Sequence, residues 1–228
     1  MNLCSCFMQW GKEREDLATA CRRVAEGGLV VGTAGNLSVR CGDDHVAVTP
    51  TGGVLGELTA EAMSVVDLDG NLVDGELAPT SELPLHLGIY ATTPEARAVA
   101  HAHALASTAV SCTYDELPAV HYTILQLGGP IRVAPYATFG SEELAVNVRA
   151  ALQGRSAALM QNHGSVAHGR SITEACERLE LLEWQAELFS RASGLGSPRV
   201  LSDKELEDVI MAALSKNYGT TQRVGEQG

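Results

Sequence analysis

Three short apolar stretches stand close together in the first third of the chain, at residues 37–40, 45–49 and 64–67. Gly42-Asp43 and Asp69-Gly70-Asn71 supply turns beside them. The first two, joined by four residues, pair antiparallel, because a parallel partner needs a crossover of a dozen or more residues, and the hairpin-like neighbours before Glu82 favour the same arrangement. The pattern therefore steers the chain toward a central, mostly antiparallel sheet, whose faces must be covered by helices. Helical segments are read at 13–26, with Leu17, Cys21 and Val24 on one face and Gly27-Gly28 as the stop, at 82–92 behind Thr80 or Ser81 as N-cap, and at 105–111. Further helices are read from Ser141 to about 152, at 173–190 and at 202–215, and further strands at 98–103, 131–134, 157–162 and 165–168. The first ten residues read as an irregular lead or part of the first helix, and the tail after Asn217 as frayed. With no repeat, linker or low-complexity block, the expectation is a single α/β domain over 1–228, with a core of about 13–191 and a helical C-terminal tail.

Composition narrows the function. At 228 residues and 45% hydrophobic, the chain has enough apolar material for one sizeable core. A formal charge of -12 with only 4% aromatic residues argues against nucleic acid, whose backbone the surface would repel and whose bases it could not stack. No apolar run is long enough to span a bilayer and no signal-peptide core is seen, so the expected setting is the cytoplasm. Cys4, Cys6, Cys21, Cys41, Cys112 and Cys176 show no repeated CxxC spacing and read as free thiols. An anion partner must be small and held in a local pocket.

Seven histidines offer the chemistry. On a strand, His101 and His103 share one face and can reach one ion at about 2.0–2.1 Å. Such a pair is more often packed or exposed than ligating. His163 changes the balance, because it ends an apolar strand and Gly164 lets backbone approach closely. Three histidines without a fourth protein ligand form the open arrangement of a catalytic metal site. Read alone, His163 is more often a turn histidine beside a glycine. His86, His45, His121 and His168 carry less; His86, four residues after Glu82, can face the same side, but a buried, hydrogen-bonded histidine is the commoner explanation. Thr80-Ser81-Glu82 at a helix start is either a capping arrangement or an anion site whose carboxylate moves a proton. Gly35-Asn36 and Thr51-Gly52 lie in turn-rich segments that offer backbone N–H groups to a phosphate. Neither fits a Walker or dinucleotide fingerprint.

Taken in order, TAGNLSVR, VTPTGG, PTSELPLHLGIY, AVAHAHALAST and LMQNHGSVAHG resemble the class II aldolase/adducin family over about residues 17–188. AVHYTILQLGG and APYATFGSEEL resemble its fuculose-phosphate aldolase branch in particular. The resemblance implies zinc on His101, His103 and His163, Glu82 as catalytic carboxylate, and a phosphate pocket from Gly35, Asn36, Thr51, Gly52, Thr80 and Ser81. It also implies that Tyr122 donates a proton in a neighbouring subunit's site, within a cyclic homotetramer. Thr80 stands where serine is often seen and keeps the hydroxyl. Ala34 stands where serine is common and lacks one. Tyr218 is the candidate for a further tyrosine of the family's tail.

The activity implied is retro-aldol cleavage of a ketose 1-phosphate, L-fuculose 1-phosphate or similar, to dihydroxyacetone phosphate and an aldehyde. Zinc serves as Lewis acid, Glu82 handles the proton at carbon and Tyr122 the one on the aldehyde oxygen. Imidazole ligands also accept manganese or cobalt. Competing readings on the same scaffold are a sugar-phosphate 4-epimerase, dehydratase or decarboxylase. The family's epimerases resemble a pattern with aspartate in place of Glu82. A non-catalytic adducin-like interaction module is the alternative from another class, and it need not keep the histidines found here.

Overall fold

Side chains alternate between two separate cores along the strands, and this sets the architecture. Val65 packs on one side of the sheet and Val66 on the other; Ala98 and Ala100 oppose Val99 in the same way. A sheet buried on both faces needs helices on both. The structure, a computed structural model, describes residues 9–216. Cys4, Cys6 and the rest of the N-terminal lead up to residue 8, the tail after Asn217 and Tyr218 lie outside them.

The strands are β1 Asn36–Cys41, β2 His45–Val48, β3 Ser64–Asp67, β4 Leu72–Asp74, β5 Ala98–Ala102, β6 Glu116–Leu117, β7 Ile131–Ala134, β8 Ala157–Met160 and β9 Gly164–Gly169. The helices are α1 Gly11–Glu26, α2 Leu83–Thr92, α3 Leu105–Ser111, α4 Glu142–Ala151, α5 Ile172–Leu195 and α6 Asp203–Ser215. One nine-stranded sheet has the order β4-β3-β2-β1-β5-β9-β8-β7-β6. Its pairs are antiparallel except β7 with β8, which α4 connects. The expected α/β fold with a mostly antiparallel central sheet is therefore present. Leu17, Cys21 and Val24 of α1 pack with Leu179 and Leu182 of α5 over one face. Leu85 and Ile89 of α2 pack with Leu144 and Val148 of α4 over the other.

Several boundaries differ from the sequence expectation. Strands β4 and β6 were not foreseen. At two or three residues each, one of them with both leucine and valine half exposed, they carry too little pattern to be seen. The residues around Tyr122 form a 3-10 helix, Tyr122–Leu127. The strand expected at 98–103 ends at Ala102, so His103 lies beyond it, and the one expected at 157–162 ends at Met160. Glu82, rather than Thr80 or Ser81, occupies the N-cap of α2 and makes no side-chain cap. The Thr80 hydroxyl instead accepts the Glu82 N–H at 3.3 Å. Ser141, Ser171 and Ser202 do cap α4, α5 and α6, the last with a reciprocal bond from Glu205.

Candidate metal centre and active site

Register brings the site together at one end of the central strands. Asn36 of β1 stands directly opposite His101 of β5, and His101 stands opposite Val166 of β9. Because Ala100 and Ala102 face α1 and α5, His101 faces the α2 side with Val99. Glu82 meets it there from the start of α2. His103 sits at the corner between β5 and α3. That corner is pinned because the Glu183 carboxylate of α5 accepts the Ala106 and Ser107 N–H groups, both at 2.8 Å. These are orphan donors of the α3 N-terminus, so a distant carboxylate replaces a local cap.

His163 arrives on the tight turn between β8 and β9. Asn162 before it takes a left-handed conformation, φ 55°, unusual for a residue other than glycine. Gly164 after it has no alternative: a Cβ there would lie 2.4 Å from the Ala102 carbonyl and 3.1 Å from the His103 ring. On the opposite side, Gly35 has φ +94°, and a Cβ would meet Val30 at 2.8 Å and the His101 carbonyl at 3.0 Å. The two glycines let the loops close around the histidines.

The result is a cluster of Glu82, His101, His103 and His163 whose ligating atoms all lie within 4.8 Å of one another. His101 Nε2 is 3.0 Å from His103 Nε2 and 3.1 Å from Glu82 Oε2, and His163 Nε2 is 3.3 Å from Glu82 Oε1. Two donors each bound to one ion at about 2.0–2.1 Å stand about 3.3 Å apart in a tetrahedron. The His101 Nδ1–H donates to the Ser165 carbonyl at 2.8 Å, which turns Nε2 toward the cluster. Glu82 Oε1 is buried without a hydrogen-bond partner. A carboxylate oxygen left so is costly unless a cation completes it. The donor set thus fits a divalent metal, and the carboxylate joins the three histidines that sequence reasoning had taken as the protein's full set.

Charge and burial pull these groups apart. Burial pushes the Glu82 carboxyl up, but the charge and hydrogen bond of His101, the Asn36 amide and His163 outweigh it and hold it far below the usual range. Burial pushes His101 down, yet Glu82 and the Ser165 carbonyl leave it raised. His103 falls to about 4 through burial and repulsion from the other two histidines, and His163 to about 4 through burial and His101. His103 and His163, neutral beside an ionised Glu82, hold the protonation states that ligands need, while the raised His101 would give up its proton to a metal.

A cavity of about 260 Å³ opens onto the cluster. Gly35, Asn36, Thr51, Gly52, Thr80 and Ser81 all line it, together with Glu82, His103 and His163. Tyr122 does not. It stacks on His121 and borders Val209 and Ala212 of α6. Sequence reasoning missed Asn162, Tyr136 and Phe139, which also line the cavity. Tyr136 and Phe139 are 60% and 64% exposed. Exposed aromatic rings inside an already recognised motif were the available signal. His86 is fully buried beneath the site. His45 packs against Trp10 with the rings tilted by 41°, and His168 donates to the Arg155 carbonyl through Nε2.

Residues 15–190 match the family described as Class II Aldolase and Adducin N-terminal domain. The 5-methylthioribulose-1-phosphate/5-deoxyribulose-1-phosphate aldolase of Rhodospirillum rubrum is 38% identical over 207 residues, 90% of this chain and 92% of that protein. The 3-oxo-tetronate 4-phosphate decarboxylase of Haemophilus influenzae is 38% identical over 205 residues, 86% of this chain and 95% of that one. A solved L-fuculose 1-phosphate aldolase superposes with a TM-score of 0.84 at 38% identity, over 90% of this chain and 96% of that chain. The four-donor cluster, the sheet that carries it and these likenesses agree: the chain belongs to the class II aldolase and adducin family, as one of its metal-dependent aldolases.

Proposed function

We propose that the protein cleaves a ketose 1-phosphate, L-fuculose 1-phosphate or a 5-deoxypentulose 1-phosphate, to dihydroxyacetone phosphate and an aldehyde, with zinc as the metal. The convergence of Glu82 with His101, His103 and His163 at the floor of a cavity edged by glycine and hydroxyl residues carries this reading. His101, His103 and His163 would hold the metal, which when bound supplies Lewis-acid stabilisation of charge on the substrate oxygens. The remaining chemistry belongs to the chain. Backbone N–H groups at Gly35 and Gly52, with the hydroxyls of Thr51, Thr80 and Ser81, hold the phosphate. Asn36 uses one amide hydrogen on Glu82, at 2.8 Å, and keeps its second for the substrate. The Glu82 carboxylate takes the proton from the hydroxymethyl carbon of dihydroxyacetone phosphate in synthesis and returns it in cleavage.

Tyr122 of a neighbouring subunit would manage the proton on the aldehyde oxygen. Its place outside the lining of its own chain's cavity supports a shared site in a homotetramer. The working unit is one domain with a core of about 13–191 and a helical tail, acting in the cytoplasm. Among the described residues no helix is long and apolar enough to cross a membrane.

The test is release of dihydroxyacetone phosphate from L-fuculose 1-phosphate by the purified protein, before chelation, after it, and after zinc is restored. Chelator-sensitive release that zinc recovers is the expected result. No release from the metal-loaded protein with either ketose phosphate would overturn the reading. It would direct attention to decarboxylation of a 3-oxo acid phosphate, the activity in the name of the Haemophilus relative.

A further inference from the structure

Behind Glu82 lies a line of buried polar groups that the cleavage chemistry does not use. Asn36 Nδ2–H donates to Glu82 Oε2 at 2.8 Å. Since a carboxylate only accepts, this orients the Asn36 amide with Oδ1 toward His86, whose Nε2–H donates to it at 2.6 Å. His86 Nδ1 must then be bare, and the Ser38 hydroxyl donates to it at 2.7 Å. The Tyr90 hydroxyl in turn donates to Ser38 Oγ at 2.8 Å. Asn36, Ser38, His86 and Tyr90 are each no more than 6% exposed. Every donor points toward Glu82, so the sequence Tyr90, Ser38, His86, Asn36, Glu82 has one self-consistent direction.

Two periodicities build this line. Asn36 and Ser38 are i and i+2 on β1 and share its α2-facing side. Glu82, His86 and Tyr90 are i, i+4 and i+8 and share the sheet-facing side of α2. The outer end is anchored as well: the Arg40 guanidinium lies 4.9 Å from the Tyr90 ring centre and donates to the Tyr90 carbonyl at 3.2 Å. Burial lowers His86 to about 3, so the ring stays neutral and keeps the one tautomer the line requires.

We propose that His86, backed by Ser38 and Tyr90, is a positioning residue that holds the Asn36 amide and through it the Glu82 carboxylate at the angle proton transfer needs. The proposal rests on Glu82 as the acid/base of the proposed reaction. Glu82 Oε2 is the oxygen fixed by Asn36, while Oε1 has no hydrogen-bond partner. The network therefore fixes the carboxylate by one oxygen and turns the other toward the three histidines. Without His86 the Asn36 amide can rotate, and with it the carboxylate loses its defined plane. The histidines' own contacts, such as His101 with the Ser165 carbonyl, do not pass through His86.

The experiment isolates the proton step. The zinc-loaded protein is incubated with dihydroxyacetone phosphate in deuterated water without aldehyde, and exchange at the hydroxymethyl carbon is followed by NMR. Bound zinc, and kcat and KM for cleavage, are measured alongside. His86→Leu should keep its zinc and its KM while exchange and kcat fall together by about 10–100-fold, the usual loss when an orienting partner is removed. His86→Gln, whose amide offers both a donor and an acceptor, should recover most of the rate. Ser38→Ala should lose less than His86→Leu, and Tyr90→Phe least. An exchange rate in zinc-loaded His86→Leu equal to the unmodified protein's would overturn the proposal and leave His86 as packing. If His86→Leu does not fold, Ser38→Ala decides between the same two results. Absence of exchange in the unmodified, zinc-loaded protein overturns the Glu82 reading itself, and is distinguishable because no variant is needed to see it.

Discussion

Two groups of buried histidine chemistry sit on either side of Glu82, and they are finished in opposite ways. Behind it, both His86 nitrogens have partners within 2.7 Å, Ser38 and Tyr90 complete the line, and the set needs nothing from outside. In front, the Nε2 atoms of His101, His103 and His163 gather around the Glu82 carboxylate, whose Oε1 has no hydrogen bond. His86 and His101 are fully buried, whereas His103 and His163 are partly exposed to the cavity, yet burial lowers His86 and His103 alike. Saturation is what separates a positioning histidine from a ligating one. A histidine with both nitrogens satisfied inside the fold has no lone pair left for a metal, and one with only Nδ1 tied down presents Nε2.

The largest break in this comparison is His101→Ala. It removes a donor from the unsaturated group and leaves Glu82 and two histidines facing a gap. Bound zinc, measured by elemental analysis, and dihydroxyacetone phosphate release should both fall to background, while far-UV circular dichroism is unchanged. Full activity in this variant would mean that the cluster is not the metal centre. Glu82→Gln comes next. The amide keeps the shape and the contact with Asn36 but cannot take a proton. Turnover should drop by about 10²–10⁴-fold with at least one metal still bound per chain. A loss of metal equal to that of His101→Ala would instead make Glu82 chiefly a ligand.

How much of this was legible in the sequence follows the same division. The unsaturated group could be read from its neighbours: His101 and His103 two apart at the end of an apolar stretch, His163 beside a glycine, Glu82 behind two hydroxyls. Each ligand carries a local signature because a loop must be shaped around it, as Gly164 and Gly35 show. The saturated group has none. Its members are ordinary helix and strand residues whose meaning depends on β1 lying under α2, a pairing across about 50 positions of chain that no local window contains. The fold divides similarly. Helices with strong caps and strands between clear turns were placed to within a few residues. Strands β4 and β6 were missed, since they exist through pairing with β3 and β7 rather than through their own pattern. Tyr122 belongs to a third kind. Its cavity lies against α6, and its proposed role depends on a second chain.

That role gives the next prediction, weaker than removal of Glu82 because tyrosine acts on an oxygen already stabilised by its surroundings. Tyr122→Phe should lower turnover by about 10²-fold. The sharper measurement is mixing. Tyr122→Phe and Glu82→Gln chains, unfolded and refolded together, would in a cyclic oligomer place an intact Glu82 beside an intact Tyr122 at about one quarter of the sites. Activity well above either variant alone is expected. No recovery on mixing, in oligomers shown to contain both chains, would put Tyr122 outside the reaction or confine it to its own subunit.

The smallest effect comes from the saturated group and is read in stability. His86 is held neutral in the fold down to about pH 3, whereas an unfolded histidine binds a proton below about 6.5. The unfolded state therefore holds more protons in that interval, and stability must fall as the solution is acidified from about pH 6.5 toward 3. A single such group contributes a slope of about 1.4 kcal/mol per pH unit. In the metal-free protein His103 and His163, lowered to about 4, add to the same trend, so the total slope alone does not identify His86. The difference between the unmodified protein and His86→Gln does. Urea unfolding at pH 7, 6 and 5 should show the two curves converging as pH falls, because only one of them loses the histidine contribution. Parallel curves would mean that His86 titrates normally in the folded chain. The neutral ring that fixes the direction of the whole Tyr90-to-Glu82 line would then be lost below about pH 6.5.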